Sequence, residues 1–406
     1  MSRRQHHGSA TSIATPVSIA VPIGEPEIYH DPNYRDSFKG ANMTQMNGPS
    51  GTRSRASRKM ESKQFTELIR QGYSTGLAKA LVENVDAFDF RFWLVDNSGS
   101  MLIGDGHRYV PTGKDGSLKT VPCTRWAEIT ETVQYHAKLA ALLDTPTIFQ
   151  LLNDPNLRTV QQRFSVCEHG EARAQSEVTE AINIMRKVSP SGVTPLTRHI
   201  RDIQKHISAM AHDLRRKGKK VVLVLATDGL PTDDQGCDGE EIRNAFVRAL
   251  RSLEGLPIWI VIRLCTDDSS VTDFYNSLDD ELELSLEVLD DYQGEAQEVS
   301  RQNRWICYGV PLHRCRELGY HNRLFDLIDE RPFTREEVRS FCCLLFGIEE
   351  DDLPDPVVDF DDFLRAVKSR LQTEQLQWNP IKKKMTPWIL IKELKKAYSD
   401  TACVIS

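Results

Sequence analysis

The chain of 406 residues carries 51 lysines and arginines against 58 aspartates and glutamates, a net charge of −7, and 40% of its residues are hydrophobic. These values allow two or more folded domains and argue against nucleic acid as a partner. Nine cysteines without a C-x-x-C pair favour free thiols in a reducing, cytoplasmic compartment over a disulfide framework.

Composition indicates five segments along the chain. Residues 1–62 hold few large apolar side chains, which predicts a disordered tail. Residues 63–87 predict a short helical prelude. Residues 88–304 alternate strands with helices and predict one domain. Residues 305–377 predict a helical accessory region, and residues 378–406 predict a polybasic tail.

Apolar strands alternate with amphipathic helices between residues 88 and 304. The stretches "FDFRFWLV", "KKVVLVLAT" and "LPIWIVIRL" predict buried strands, and "LSLEVLDD" predicts a last edge strand. Because "TPTIFQLL" and "RTVQQRFSV" follow each other closely, we expect them to pair antiparallel. Strands that are apolar throughout are typical of parallel sheets covered by helices. The sequence therefore predicts an α/β fold with a doubly wound, mostly parallel sheet.

Oxygen-bearing side chains follow two of these predicted strands. Asp96, Ser98 and Ser100 alternate directly after the first strand, and Asp228 follows a later strand in "LATDG". Ligands bind outside the carboxyl ends of strands in open α/β sheets, so we expect these side chains to face one site. Thr194, at the start of a long predicted helix, provides a further hydroxyl for the same crevice.

The five side chains share one chemistry, because all offer hard oxygen ligands and none is an imidazole or a thiolate. Zinc and copper fit such a set poorly, whereas Mg²⁺, or Mn²⁺, accepts hydroxyl, carboxylate and water oxygens in an octahedron. The sequence therefore predicts a metal site whose residues are Asp96, Ser98, Ser100, Thr194 and Asp228.

These segments carry a family resemblance. The D-x-S-x-S motif from Asp96, the Gly-x-Thr-Pro-Leu turn around Thr194 and the Thr-Asp-Gly segment with Asp228 resemble the metal-ion-dependent adhesion site of the von Willebrand factor A domain family. The resemblance covers residues 88–304. It implies that the serines, and often the threonine, touch the ion, while the aspartates act directly or through water. It also implies an open coordination position for an acidic side chain of a partner protein, hence metal-bridged recognition and not an enzyme.

A long segment between Met101 and Thr124 begins beside the predicted ion. We expect this segment to be a loop that forms part of the partner-facing rim. Its Asp105 and His107 are potential extra ligands, but an isolated acidic residue or histidine in a glycine-rich loop is more often solvated. Further on, the acidic stretch "IEEDDLPDPVVD" lacks the glycine that a calcium-binding loop needs, which predicts a solvated connector.

The last four residues, "CVIS", form the C-a-a-X pattern that predicts prenylation of Cys403. Upstream lie the apolar Trp388, Ile389, Ile391 and Leu394. The same stretch holds six lysines: Lys382, Lys383, Lys384, Lys392, Lys395 and Lys396. One lipid together with a polybasic patch attaches a protein to an anionic membrane surface. We therefore expect a cytoplasmic protein that is peripheral on the cytoplasmic face of a membrane.

Two alternatives stay open. One is a component of an enzyme complex of the ubiquitin-ligase type, a relative of the copine-like proteins that also join this domain to membranes. Closely paired zinc-binding cysteines and a P-loop are both missing from the sequence. The other alternative is a scaffold whose metal site is occupied but idle. The test is whether the chain captures a partner protein only when the metal is present. Capture that does not depend on the metal would rule out metal-bridged recognition.

Overall fold

The computed structural model describes residues 62–113 and 116–399. The predicted tail, apart from Ser62, and Cys403 therefore lie outside the described residues. The helices are α1 (Ser62–Arg70), α2 (Thr75–Val85), α3 (Arg125–Leu143), α4 (Glu171–Lys187), α5 (Leu196–Lys217), α6 (Glu240–Arg251), α7 (Ser269–Glu281), α8 (Tyr292–Gln302), α9 (Val310–Glu317), α10 (Arg323–Leu327), α11 (Arg335–Phe346), α12 (Phe360–Leu371) and α13 (Ile391–Ser399). The strands are β1 (Phe88–Val95), β2 (Gly106–Pro111), β3 (Leu118–Cys123), β4 (Thr147–Leu151), β5 (Arg163–Val166), β6 (Lys220–Thr227), β7 (Ile258–Leu264), β8 (Leu286–Leu289), β9 (Gln377–Asn379) and β10 (Lys384–Thr386).

Six strands form one central sheet in the order β5, β4, β1, β6, β7, β8. All neighbours in this sheet pair parallel except β4 and β5, which pair antiparallel. The predicted α/β fold with a mostly parallel sheet is confirmed, as are the antiparallel pair and the edge position of β8. The strand order reverses between β1 and β6, which is the place where open α/β sheets bind ligands.

Helices cover both faces of this sheet because its strands are apolar on both sides. Trp93 and Val95 of β1 pack with α3 and α4 on one face. Phe92 and Leu94 point to the other face and pack with α5, α6 and α7. Burying one such large side chain stabilises the fold by about 1.5–3 kcal/mol. The two cores hold the strand ends rigidly, so that side chains just beyond them have defined positions.

A third hydrophobic core lies among the helices outside the sheet. It is built by α1, α2 and the helices from α8 to α13, together with Leu139 and Leu143 of α3. Gly76 of α2 lies directly on α11, since a Cβ atom at Gly76 would lie 1.8 Å from the Leu344 carbonyl oxygen. The predicted helical prelude and the predicted helical accessory region thus pack together, although more than 200 residues separate them in sequence.

The segment between Met101 and Thr124, predicted as a loop, folds in part as an antiparallel hairpin of β2 and β3. The hairpin is a two-stranded sheet separate from the central one. Most of its side chains are half-buried or exposed, so its strands lack the apolar runs that indicate the central strands. The prediction of a loop is therefore wrong for the two strands.

The segment predicted as a polybasic tail is folded up to Ser399 and contains β9, β10 and α13. Trp388, Ile389 and Leu394 are at most 1% exposed and belong to the third core. These three side chains are therefore not exposed beside the lysines of the same stretch. In residues 62–113 and 116–399, no helix is both long and apolar enough to cross a bilayer.

Candidate metal centre

Asp96 stands at the carboxyl end of β1 and is fully buried. Its backbone N–H donates to the Ala226 carbonyl oxygen at 2.8 Å, which continues the pairing of β1 with β6. Its Oδ1 accepts the backbone N–H of Ser98 at 2.8 Å, and its Oδ2 accepts the Thr227 hydroxyl at 2.8 Å. Because each carboxylate oxygen has a donor on a different strand end, the Asp96 side chain is held in one orientation.

The hydroxyls of Ser98 and Ser100 meet Asp228 from the end of β6. Ser98 Oγ lies 3.0 Å from Ser100 Oγ, and the Ser100 hydroxyl donates to Asp228 Oδ1 at 2.9 Å. A serine hydroxyl has one proton, so Ser98 is the donor in the first of these bonds. The structure thus brings three of the predicted ligand residues into one hydrogen-bonded group at the point where the strand order reverses.

The Thr194 segment reaches the same place through its backbone. The Gly99 N–H donates to the Gly192 carbonyl oxygen at 3.2 Å, two residues before Thr194. Gly192 has a φ of +93°, and a Cβ atom there would lie 2.7 Å from Asn153 Oδ1, so glycine is required at this turn. Thr194 is 5% exposed, and its N–H donates to the Thr232 hydroxyl at 2.9 Å.

Burial gives this group unusual electrostatics. Burial, followed by the negative charge of Asp228, raises the pKa of Asp96 to about 7. Burial also raises the pKa of Asp228, against the opposing effect of Arg125. Two neighbouring buried carboxyl groups of raised pKa require a proton or a cation to neutralise them. Their oxygens, with those of Ser98 and Ser100, form the oxygen-only donor set that Mg²⁺ and Mn²⁺ accept, so the residues fit such an ion.

Arg125, the first residue of α3, is a member of the site that the sequence did not reveal. Its Nη1 donates to Asp228 Oδ2 at 3.0 Å, and its Nε and Nη2 donate to the two oxygens of Asp105 at 2.7 and 2.6 Å. Asp105 is therefore ion-paired, which corrects its interpretation as merely solvated, and the pairing lowers its pKa. His107 Nδ1 lies 3.6 Å from Asp291 Oδ2 and so belongs to a different contact.

A second acidic group exists outside this site. Glu295, Glu298 and Asp329 each place a carboxylate oxygen within 4.8 Å of the others. Arg316, however, pairs with Glu295 and, at 2.8 Å, with Asp329. Arg316 thus supplies positive charge to two of these three carboxylates. At the Asp96 site Arg125 pairs with Asp228, but Asp96 itself is hydrogen-bonded to neutral groups and two serine hydroxyls lie in the same hydrogen-bonded group, so this site is the stronger candidate for a divalent cation.

A cleft of about 620 Å³ lies beside the hairpin, between β2, α3, α9 and β9. Tyr109, Tyr135 and Trp378 line it together with Arg314. The five predicted metal ligands are not among its lining residues. The hairpin therefore borders both the candidate metal centre, through the contact of Asp105 with Arg125, and the cleft, through Tyr109.

Comparison with known proteins does not assign the chain, since neither a model of a known protein family nor a curated protein matches it.

Proposed function

We propose that this chain is a binding protein of the von Willebrand factor A type, which holds Mg²⁺, or Mn²⁺, and uses the ion to bind a partner protein. The ligands are Asp96, Ser98, Ser100, Thr194 and Asp228. With few carboxylates in the set, the ion keeps much of its positive charge. A glutamate or aspartate of the partner completes its shell as a charge-assisted contact.

One observation carries this proposal. Side chains from the ends of two adjacent parallel strands, β1 and β6, meet in a single hydrogen-bonded group of oxygens where the strand order reverses. In ordinary turns, the side chains of serine and aspartate form hydrogen bonds with backbone groups of the same loop. Here, in contrast, Ser100 contacts an aspartate 128 residues away. That long-range convergence supports a shared ligand more than independent turns.

Calorimetric titration with Mn²⁺ tests the ion site. The wild-type chain should bind one ion, and Ser100→Ala should weaken binding at least tenfold because it removes one direct ligand. Ser208→Ala, on the exposed side of α5, is the matched control and should bind as the wild type does. Absence of Mn²⁺ and Mg²⁺ uptake by the wild type contradicts the proposal.

Partner binding is tested by capture experiments with the full chain in Mg²⁺ and in EDTA. A partner held through the ion should be lost in EDTA and with Ser100→Ala, but retained with Ser208→Ala. Capture that persists in EDTA would instead indicate a scaffold whose ion is idle.

We further propose that the chain is tethered to a membrane through prenylation of Cys403 and the nearby lysines. Lys383, Lys384, Lys392 and Lys396 are exposed on the folded C-terminal segment, which supports attraction to an anionic surface at about 1 kcal/mol for each lysine close to it. Because Trp388, Ile389 and Leu394 lie in the third core, these side chains are not available to the membrane, and attachment depends mainly on the lipid and the lysines.

Cell fractionation tests the tether. Cys403→Ser should move the protein from the membrane fraction to the supernatant, because a polybasic patch without a lipid binds weakly. Cys237→Ser removes an exposed cysteine elsewhere and is the matched control. Equal distribution of the wild type and Cys403→Ser would contradict the tether without affecting the proposal for the ion.

A further inference from the structure

Arg125 joins the proposed ion site to the β2–β3 hairpin. Its guanidinium lies between Asp228 and Asp105 and donates three hydrogen bonds of 3.0 Å or less to their carboxylates. The side chain of Arg125 is only 8% exposed and that of Asp228 is fully buried, whereas that of Asp105 is 40% exposed. The arginine thus touches a proposed ligand on its buried side and a hairpin residue on its open side.

We propose that Arg125 is a built-in counter-cation that lowers the affinity of the site for its divalent ion, and that Asp105 makes this affinity depend on the position of the hairpin. The inference rests on the ion site of the proposed function. It adds Arg125 as a residue that regulates the affinity for the ion. A partner that docks on the β2–β3 hairpin and displaces it would change how tightly the ion is held.

The arrangement of charges supports the first part. Asp228 shares its two oxygens between the Arg125 guanidinium and the Ser100 hydroxyl. A divalent ion that binds at Ser98 and Ser100 would therefore lie near one oxygen of the Asp228 carboxylate, while the positively charged Arg125 guanidinium holds the other oxygen. Repulsion between these charges is poorly screened, because the side chains of Arg125 and Asp228 are almost entirely removed from water.

The position of Asp105 supports the second part. Asp105 directly precedes β2 and binds the guanidinium with both of its oxygens, so it neutralises part of the positive charge that faces Asp228. The hairpin is otherwise attached nearby by the His107 N–H, which donates to Glu128 Oε2 at 2.9 Å. Any displacement of this end of the hairpin changes the contact between Asp105 and Arg125.

Calorimetric Mn²⁺ titration of four full-length variants and one control variant tests the inference. Arg125→Gln should bind Mn²⁺ about tenfold more tightly than the wild type, because the repelling charge is gone. Arg125→Lys keeps the charge and should remain within about threefold of the wild type. Asp105→Asn should bind at least threefold more weakly. In the double variant, Asp105→Asn should change the affinity of Arg125→Gln by less than twofold, because Asp105 acts through Arg125. Arg108→Gln, in the exposed pair with Glu131 on the same hairpin, is the control.

The outcomes separate this inference from the proposed function. If the wild type binds Mn²⁺ and Arg125→Gln binds equally or more weakly, Arg125 is only structural and the inference is overturned, while the ion site stands. If neither chain binds Mn²⁺, both are overturned. Binding by Arg125→Gln alone supports the counter-cation but contradicts the proposal that the wild-type chain holds the ion. Should Arg125→Gln fail to fold, Asp105→Asn decides the matter, because an unchanged affinity in that variant also overturns the inference.

Discussion

His199, near the start of α5, is a buried and uncharged histidine. It is 1% exposed, its Nε2 lies 2.9 Å from the Leu152 carbonyl oxygen and its Nδ1 lies 3.3 Å from Gln150 Nε2. One ring nitrogen therefore donates and the other accepts, which is the pattern of a neutral imidazole. Burial lowers the pKa of His199 to about 4.

This lowered pKa predicts acid sensitivity. Between pH 6.5 and pH 4, the unfolded chain binds a proton at residue 199 that the folded chain does not, so stability falls as the pH decreases. The contribution lost between pH 7 and pH 4.5 is about 2 kcal/mol. In His199→Gln this part of the pH dependence should vanish, as measured by urea unfolding at both pH values. His212→Gln, at a side chain that is 91% exposed, should retain the wild-type dependence.

At this scale the sequence predicted that Asp96, Ser98, Ser100 and Asp228 lie close together, which the structure shows, but it did not reveal Arg125 beside them. Asp96, Ser98 and Ser100 form a local pattern that is visible in five consecutive letters. The Arg125 contact with Asp228 spans 103 residues, and nothing in the composition of the helix start distinguishes this arginine from a surface one. Only the folded chain shows that Asp105 and Asp228 meet the same guanidinium.

Contact between helices α2 and α11 depends on a single glycine. A Cβ atom at Gly76 would lie 1.8 Å from the Leu344 carbonyl oxygen and 2.4 Å from the Gly347 backbone nitrogen. Neither atom belongs to a side chain that can turn away. Alanine usually stabilises a helix relative to glycine by about 1 kcal/mol, but here the two backbones would have to separate.

We therefore predict that Gly76→Ala lowers the free energy of unfolding by about 2 kcal/mol or more, against the helix propensity. Urea unfolding monitored by circular dichroism measures the change. Gly104→Ala, where a Cβ atom would meet nothing within 4 Å, should change stability by less than about 0.5 kcal/mol. Equal stability of Gly76→Ala and the wild type would show that α2 and α11 can move apart at little cost.

Among the elements, those of the central sheet were the most predictable. Its strands are buried on both faces, so nearly every position of β6 and β7 is apolar and the pattern is unambiguous. β2 and β3 were not predicted because most of their positions are half-buried or exposed. Such a hairpin tolerates polar residues throughout and shows no apolar run. β9 and β10 have three residues each, which is too short for a periodic signal.

The described part of the molecule has three hydrophobic cores, and α3 contributes to two of them. Ile129 and Val133 of this helix face the sheet, while Leu139 and Leu143 belong to the third core. Because one rigid helix contributes to both, loosening the third core should destabilise the sheet as well. The sequence predicted helices N-terminal and C-terminal to the sheet domain, but nothing in it indicated that these helices pack together in one core.

Leu394→Ala tests this coupling. Leu394 is fully buried in the third core, so we expect its truncation to lower the free energy of unfolding by about 2–5 kcal/mol. Tryptophan fluorescence and far-ultraviolet circular dichroism should shift together, because Trp93 lies in the sheet and Trp305 in the third core. Lys396→Ala, two residues further along the same helix and exposed, is the control. A separate early transition in Leu394→Ala would contradict the coupling.

The contact between Gly76 and α11 also has a consequence for biosynthesis. Lys79, on the same helix, donates to the Gly347 carbonyl oxygen across 268 residues. At typical elongation rates of about 5–20 residues per second, α2 leaves the ribosome roughly 15–55 s before its packing partner does. During that interval the face of the nascent helix that packs on α11 has no native cover, so newly made chains should depend on holdase chaperones until translation is almost complete.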